Sequence, residues 1–254
     1  MLTSQNDFDI FYLLIYQQIK YIERENMKKL FWVANAIMLA LILIFDVCYM
    51  FGGGLPAKAI ASIMFVGAGI INLVYCIKNN KNLKFPIWMM VALTCAMLGD
   101  ILLVLNFYLG TAVFAVGHIF YFVSYCMLEK MHRRDLICGI SISVVALSII
   151  LFTPFLDFGA ALMQGVCCTY AFIISFMVGK AISNLLKENS LVNIIIVIGS
   201  SLFFISDFML MLDVFGDIPE ASYLCLGTYY PAQFLLAFSL FVYACIDSSN
   251  KLEG

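Results

Sequence analysis

The sequence predicts an all-α, polytopic membrane protein with eight transmembrane helices. Three observations predict it. Of 254 residues, 64% are hydrophobic and only 12% charged, against roughly 25% charged in an ordinary soluble domain. The apolar residues gather into eight runs close to the ~20 residues that a helical crossing needs. Lys and Arg collect in alternate connections, as the positive-inside rule requires of a multi-pass chain. Within lipid each segment must bond its own backbone polar groups, so the runs are read as helices.

The first run, 30–51, opens after Lys28 and Lys29 and stops at "GGGLP" (52–56). The second, 59–77, gives way to "KNNKNLKFP" (78–86), after which come 86–106 and 109–128. The fifth, 136–153, ends at "TPFLDFG" (153–159), and the sixth is 160–182. The seventh, 191–213, is cut from the eighth, 222–246, by "DVFGDIPE" (213–220). Residues 1–29 are expected to be a cytoplasmic or interfacial extension, and 247–254 a cytoplasmic tail. "FDIFYLLIYQQI" (8–19) is too short to span and has the composition of a helix lying on a membrane surface. "MKKLFWVANAIML" from Met27 reads as a natural bacterial start, and no signal-peptide cleavage site follows the first span.

Thirteen of the 14 Lys and Arg fall on one side, with Lys180 and Lys187 assigned to the junction of spans 6 and 7. The other side has Lys58 alone, with Asp157, Asp213, Asp217 and Glu220. Both termini are therefore expected in the cytoplasm, with the chain in a bacterial inner membrane, or in the endoplasmic reticulum of a eukaryote. A net charge of −2 gives no sign of a nucleic-acid partner. The nine cysteines form no C-x-x-C pair and are read as small hydrophobes within helices.

"AMLGDILLVL" (96–105) and "FFISDFMLML" (203–212) place an aspartate at corresponding positions, 107 residues apart in spans 3 and 7. The match suggests a parallel four-plus-four helix repeat. An ionisable group within a span is costly and marks function by default. Asp100 and Asp207 each lie six residues before the outer end of their span, which puts both ~9 Å below the boundary at the helical rise. Polar groups gather at that level. Span 4 carries His118, with Tyr121 and Tyr125 on the same helical face. Span 8 carries "GTYYPAQ", with Tyr229, Tyr230 and Gln233, and Pro231 loosening the helix. In span 7, Asn193, Ser200 and Asp207 recur every seven residues as an inward stripe. Asp46 is a third carboxyl near this depth. The two aspartates are expected to face one internal cavity, with His118 and Tyr229 or Tyr230 on its wall. No Lys or Arg is expected at their level, and no second polar layer toward the cytoplasm. The ordinary alternatives are interfacial tyrosines and hydrogen-bonding residues that hold helices together.

Two histidines, one of them in a connection, exclude a multi-histidine zinc site, and H-E-x-x-H is absent. So are G-x-S-x-G and a phosphate-cradling glycine loop. No metal or other cofactor is expected. A carboxylate pair with hydroxyls and one imidazole remains, suited to metal-free acid–base chemistry or to a proton or ion path.

"GDILLVL", "GHIFYFVSY", "SDFMLML" and "TYYPAQ", in this order, resemble the signature blocks of the YhhN family of membrane proteins, which includes the lysoplasmalogenases. The resemblance covers about 30–246, and "LPAK", ending in Lys58, is similar to the lysine that opens span 2 in that family. It implies an eight-helix fold with Asp100 and Asp207 as the paired aspartates. The implied substrate is a lysophospholipid in the bilayer, a lysoplasmalogen. Its vinyl ether is hydrolysed to a fatty aldehyde and glycerophospho-ethanolamine or glycerophospho-choline. The residues suit that reaction independently. A vinyl ether is protonated at its β-carbon, and water attacks the resulting oxocarbenium ion. Glycosidases meet a related cation with two carboxyl groups. Lys58, at the outer boundary, is placed to meet a headgroup phosphate as a point charge. The competing class is a transporter that uses the acids as a proton relay. A homodimer is compatible with the sequence but does not follow from it.

Overall fold

The computed structural model describes the backbone of residues 3–249 and the side chains of residues 16–246. Within these bounds the chain is helical: α1 (Thr3–Cys48), α2 (Gly54–Lys78), α3 (Lys84–Leu105), α4 (Phe107–Leu128), α5 (Arg133–Phe152), α6 (Ala161–Lys187), α7 (Leu191–Gly216) and α8 (Ala221–Ser249). Seven helical stretches are long and apolar enough to cross a membrane, because Tyr16–Lys78 counts as one. Only a π-helical turn, Tyr49–Gly53, separates α1 from α2. Gly52 and Gly54 adopt φ of 97° and 59° there, conformations that a Cβ disfavours. The "GGGLP" breaker therefore makes a kink rather than an open loop. α1 starts at Thr3 and takes in most of the expected N-terminal extension without a break. Most of the expected tail lies outside the described residues. α8 runs unbroken through Pro231.

The surface pattern is that of a protein dissolved in hydrocarbon. Trp32, Val33 and Ile44 on α1, and Ile137, Val144 and Val145 on α5, are exposed. Asn35, Asn72, Lys58, Asp100, His118 and Lys180 are buried. Apolar side chains lose nothing against lipid, whereas polar ones need partners inside the bundle. The chain is a multi-pass membrane protein.

Six helices close a ring: α2 packs on α3, α3 on α4, α4 on α6, α6 on α7, α7 on α8, and α8 back on α2. α1 lies outside against α2 and α8, and α5 lies outside against α6. The α5–α6 approach is close because a Cβ on Gly179 would stand 2.5 Å from the Gly139 nitrogen. Small residues permit such crossings between membrane helices. Asn35 and Asn72 exchange amide hydrogen bonds of 2.8 and 2.9 Å, and Asn72 also donates to the Ala237 carbonyl. These bonds tie α1, α2 and α8 together. All nine cysteines are free thiols.

One end of the bundle carries the α1–α2 kink and the α3–α4, α5–α6 and α7–α8 connections. It is called here the site end. Toward the opposite end the structure corrects two expectations. Lys180 is not in a junction, because α6 continues to Lys187 and buries it completely. Its ammonium donates to Asp135 at 2.8 Å and to the Lys130 carbonyl at 3.0 Å. A second polar layer therefore exists, and an isolated charge at that depth would be costly without this pairing.

Candidate active site

α3 and α7 bring Asp100 and Asp207 to the wall of one cavity of about 540 Å³ at the site end. Each carboxyl is held from two neighbouring helices. Asp100 Oδ2 accepts hydrogen bonds from Ser62 Oγ on α2 (2.6 Å) and from Tyr229 OH on α8 (2.8 Å). Lys58 Nζ, one turn before Ser62 on α2, lies 3.6 Å from Asp100 Oδ1. The same ammonium sits 5.5 Å from the centre of the Tyr49 ring in the kink. This overturns the expectation that no cation shares the level of the carboxylates. α2 starts at Gly54, so Lys58 is already inside the helix, buried and turned inward rather than held at the interface.

Asp207 Oδ2 accepts from Tyr170 OH on α6 at 2.7 Å. Tyr170 OH is also 2.7 Å from His118 Nε2 on α4, whose Nδ1 faces Met177 Sδ at 3.4 Å. His118 Nε2 and Asp207 Oδ2 are 3.4 Å apart. Tyr170 OH thus stands within hydrogen-bond distance of both Asp207 and His118, with only Asp207 and Tyr170 on the cavity wall.

The expected residues divide into two groups. Asp100, Asp207, Lys58 and Tyr229 meet at the cavity, and His118 stands one side chain behind it. Tyr121, Gln233 and Ser200 do not reach the aspartates. Tyr121 OH donates to Gln233 Oε1 at 2.7 Å, and Ser200 pairs with Tyr125 at 2.8 Å. Tyr230 OH reaches the Lys58 carbonyl at 3.3 Å. These contacts form the fully buried floor on which the site stands. Asp46 is buried with Oδ1 unpartnered, and it does not line the cavity. Two residues went unrecognised in the sequence. Ser62 follows Lys58 by four residues, on the same helical face. Tyr170 is the single tyrosine in span 6. Among the described residues, no group of three His, Cys, Asp or Glu side chains is disposed to hold a metal.

Most of the remaining lining is apolar, with Thr111, Ser141, Ser206, Asp213 and Ser222 as the further polar members. Ile142, Ala146 and Ile150 of α5, Ala171 and Ile174 of α6, and Phe204 and Met211 of α7 extend it away from the carboxylates. The lining suits an amphiphile: a polar or reacting portion near the two acids and an aliphatic portion along α5 and α6.

The fold and site define a helical, multi-pass membrane protein with a carboxylate-lined internal cavity. A family model, the YhhN family, matches residues 58–240. The chain belongs to the YhhN family, whose character is lysoplasmalogenase-like. Neither the curated proteins nor the solved structures include a match.

Proposed function

We propose that the chain is a hydrolase of the lysoplasmalogenase type, cleaving the vinyl ether of a single-chain ether phospholipid within the membrane. The observation that carries this reading is the presence of Asp100 and Asp207 on one cavity whose remaining wall is mostly apolar. Asp207 is the acid, because its partners Tyr170 and His118 can hold its proton along a hydrogen-bonded line. It delivers that proton to the β-carbon of the vinyl ether. The oxocarbenium ion that forms faces Asp100, whose surround of two hydroxyl donors and an ammonium suits a carboxylate. Asp100 takes a proton from the attacking water. The hemiacetal then collapses: Asp207 takes its hydroxyl proton, the C–O bond to glycerol breaks, and Asp100 gives its proton to the glycerol oxygen, which restores both groups. The balance is one vinyl ether and one water in, one fatty aldehyde and one glycerophospho-alcohol out. No cofactor takes part.

The proposal includes eight crossings, with the kink at Tyr49–Gly53 as the turn between the first two and the site end facing away from the cytoplasm. In a bacterium this is the inner membrane. It also includes an ancient duplication. Asp100 takes its partners from α2 and α8, and Asp207 takes its partners from the helices four places on or back, α6 and α4. The deciding experiment incubates the purified protein with lysoplasmalogen and follows fatty aldehyde by mass spectrometry. Absence of aldehyde with both ethanolamine and choline lipids would sink the reading. A second reading, a proton-coupled transporter, draws on the Lys180–Asp135 pair toward the opposite end. Substrate-driven proton flux in sealed vesicles without hydrolysis would favour it.

A further inference from the structure

The hydrolysis leaves one part of the cavity unused. At the site-end mouth, where α4 begins and α7 ends, the wall is formed by Asp213, Phe107 and Phe215. The Phe107 and Phe215 rings meet edge to face, with centroids 5.7 Å apart and planes at 89°. Phe158, from the α5–α6 connection, backs Phe215 at 4.8 Å. That connection is fastened in place. The Asp157 N–H donates to the Phe215 carbonyl at 2.8 Å, and the Gly159 N–H donates to Asp157 Oδ1 at 2.8 Å. The rings are therefore held from behind, unlike loose interfacial aromatics.

The electrostatics at this mouth have one sign. Asp157, Asp217 and Glu220 lie in the two adjoining connections, which contain no Lys or Arg. Lys58, the nearest cation on the cavity wall, is committed to Asp100. A carboxylate and a pair of perpendicular aromatic rings on one cavity wall, in a negative field, favour a cation that carries an apolar shell. An alkylammonium group has that character.

We propose that Asp213, Phe107 and Phe215 form an ammonium-binding subsite that receives the positively charged end of a zwitterionic lysolipid headgroup. The identity of the lipid rests on the hydrolase reading above. The lengths agree. Asp207 and Asp213 are six residues apart, ~9 Å along α7. From a vinyl ether oxygen through glycerol and phosphate to the headgroup nitrogen is roughly 10 Å at ordinary bond lengths. One molecule can therefore reach the acid with its reacting bond and the mouth with its ammonium.

The test is a binding measurement that needs no catalysis. Two hexadecyl-ether lysolipids without a vinyl ether, one with phosphocholine and one with a bare phosphate, are titrated into the full chain in maltoside micelles by microscale thermophoresis. The wild type should bind the choline lipid about tenfold more tightly. Asp213→Asn and, separately, Phe215→Leu should bring the ratio close to one, with circular dichroism confirming the fold. Equal binding of both lipids by the wild type would overturn the subsite. So would an unchanged ratio in Asp213→Asn. Binding of neither lipid would overturn the subsite together with the lysolipid reading of the cavity. A choline preference lost in Asp213→Asn, but without aldehyde release from lysoplasmalogen, would leave the subsite standing and remove the hydrolase reading alone.

Discussion

Lys58 and Asp100 form a buried ion pair across α2 and α3: the ammonium lies 3.6 Å from Oδ1, and each side chain is less than one-tenth exposed. Breaking such a pair from one side costs about 3–5 kcal/mol, because the remaining buried charge loses its counter-ion. Lys58→Met should therefore lower the melting temperature and reduce kcat by at least ~10-fold. The kcat loss should be equal on lysoplasmalogen and on a vinyl-ether glycerol without a headgroup. Adding Asp100→Asn should recover most of the stability and none of the activity. If Lys58→Met instead raises KM for the charged lipid alone, the lysine reads phosphate and its pairing with Asp100 is incidental.

The two aspartates answer to a simpler substitution. Asparagine keeps the shape of aspartate without its proton or charge. Asp100→Asn and Asp207→Asn should each lower turnover by at least ~10², the scale of a lost general acid or base. Full activity in both variants on every lipid tested would remove these residues from the site.

Tyr170→Phe removes the hydroxyl that joins Asp207 to His118 and leaves the ring in place. Turnover should fall by about tenfold, less than for Asp207→Asn, since the acid survives without its line of support. Turnover equal to that of the unsubstituted chain would make Tyr170 a packing residue.

The apolar arm predicts chain-length selection. Ala146 and Ala171 face the cavity from α5 and α6. Ala171→Leu adds volume there and should raise KM for a hexadecenyl chain several-fold while sparing an octenyl chain. Competition between the two lipids, read by mass spectrometry, separates the cases. Equal effects on both would place the chain elsewhere.

The parts legible in the sequence were those that a single segment decides. Apolar run length and breaker residues placed the helices, and a carboxylate in an apolar run announced itself. The parts not legible depend on where a helix starts and which neighbour it meets. Lys58 follows a glycine-rich breaker and reads as an interfacial residue, but α2 begins at Gly54 and draws it inward. Lys180 resembles the end of a span, and only the continuation of α6 reveals its partner Asp135. Periodicity turns Tyr121 and Ser200 toward the bundle, where both are buried. It does not say that they meet Gln233 and Tyr125 rather than the aspartates, because that depends on tertiary packing. Tyr170 was hidden for the same reason.

α5 stands outside the six-helix ring and packs chiefly on α6. Val145, which belongs to the cavity lining, is also 61% exposed. The compartment therefore reaches the lipid-facing flank of the bundle. An aliphatic tail of the proposed substrate would enter there sideways and stay in hydrocarbon throughout, so its burial would supply little of the binding free energy. Affinity must then come from the polar end, while the physical state of the host membrane, fluid or ordered, governs how often that flank stands open.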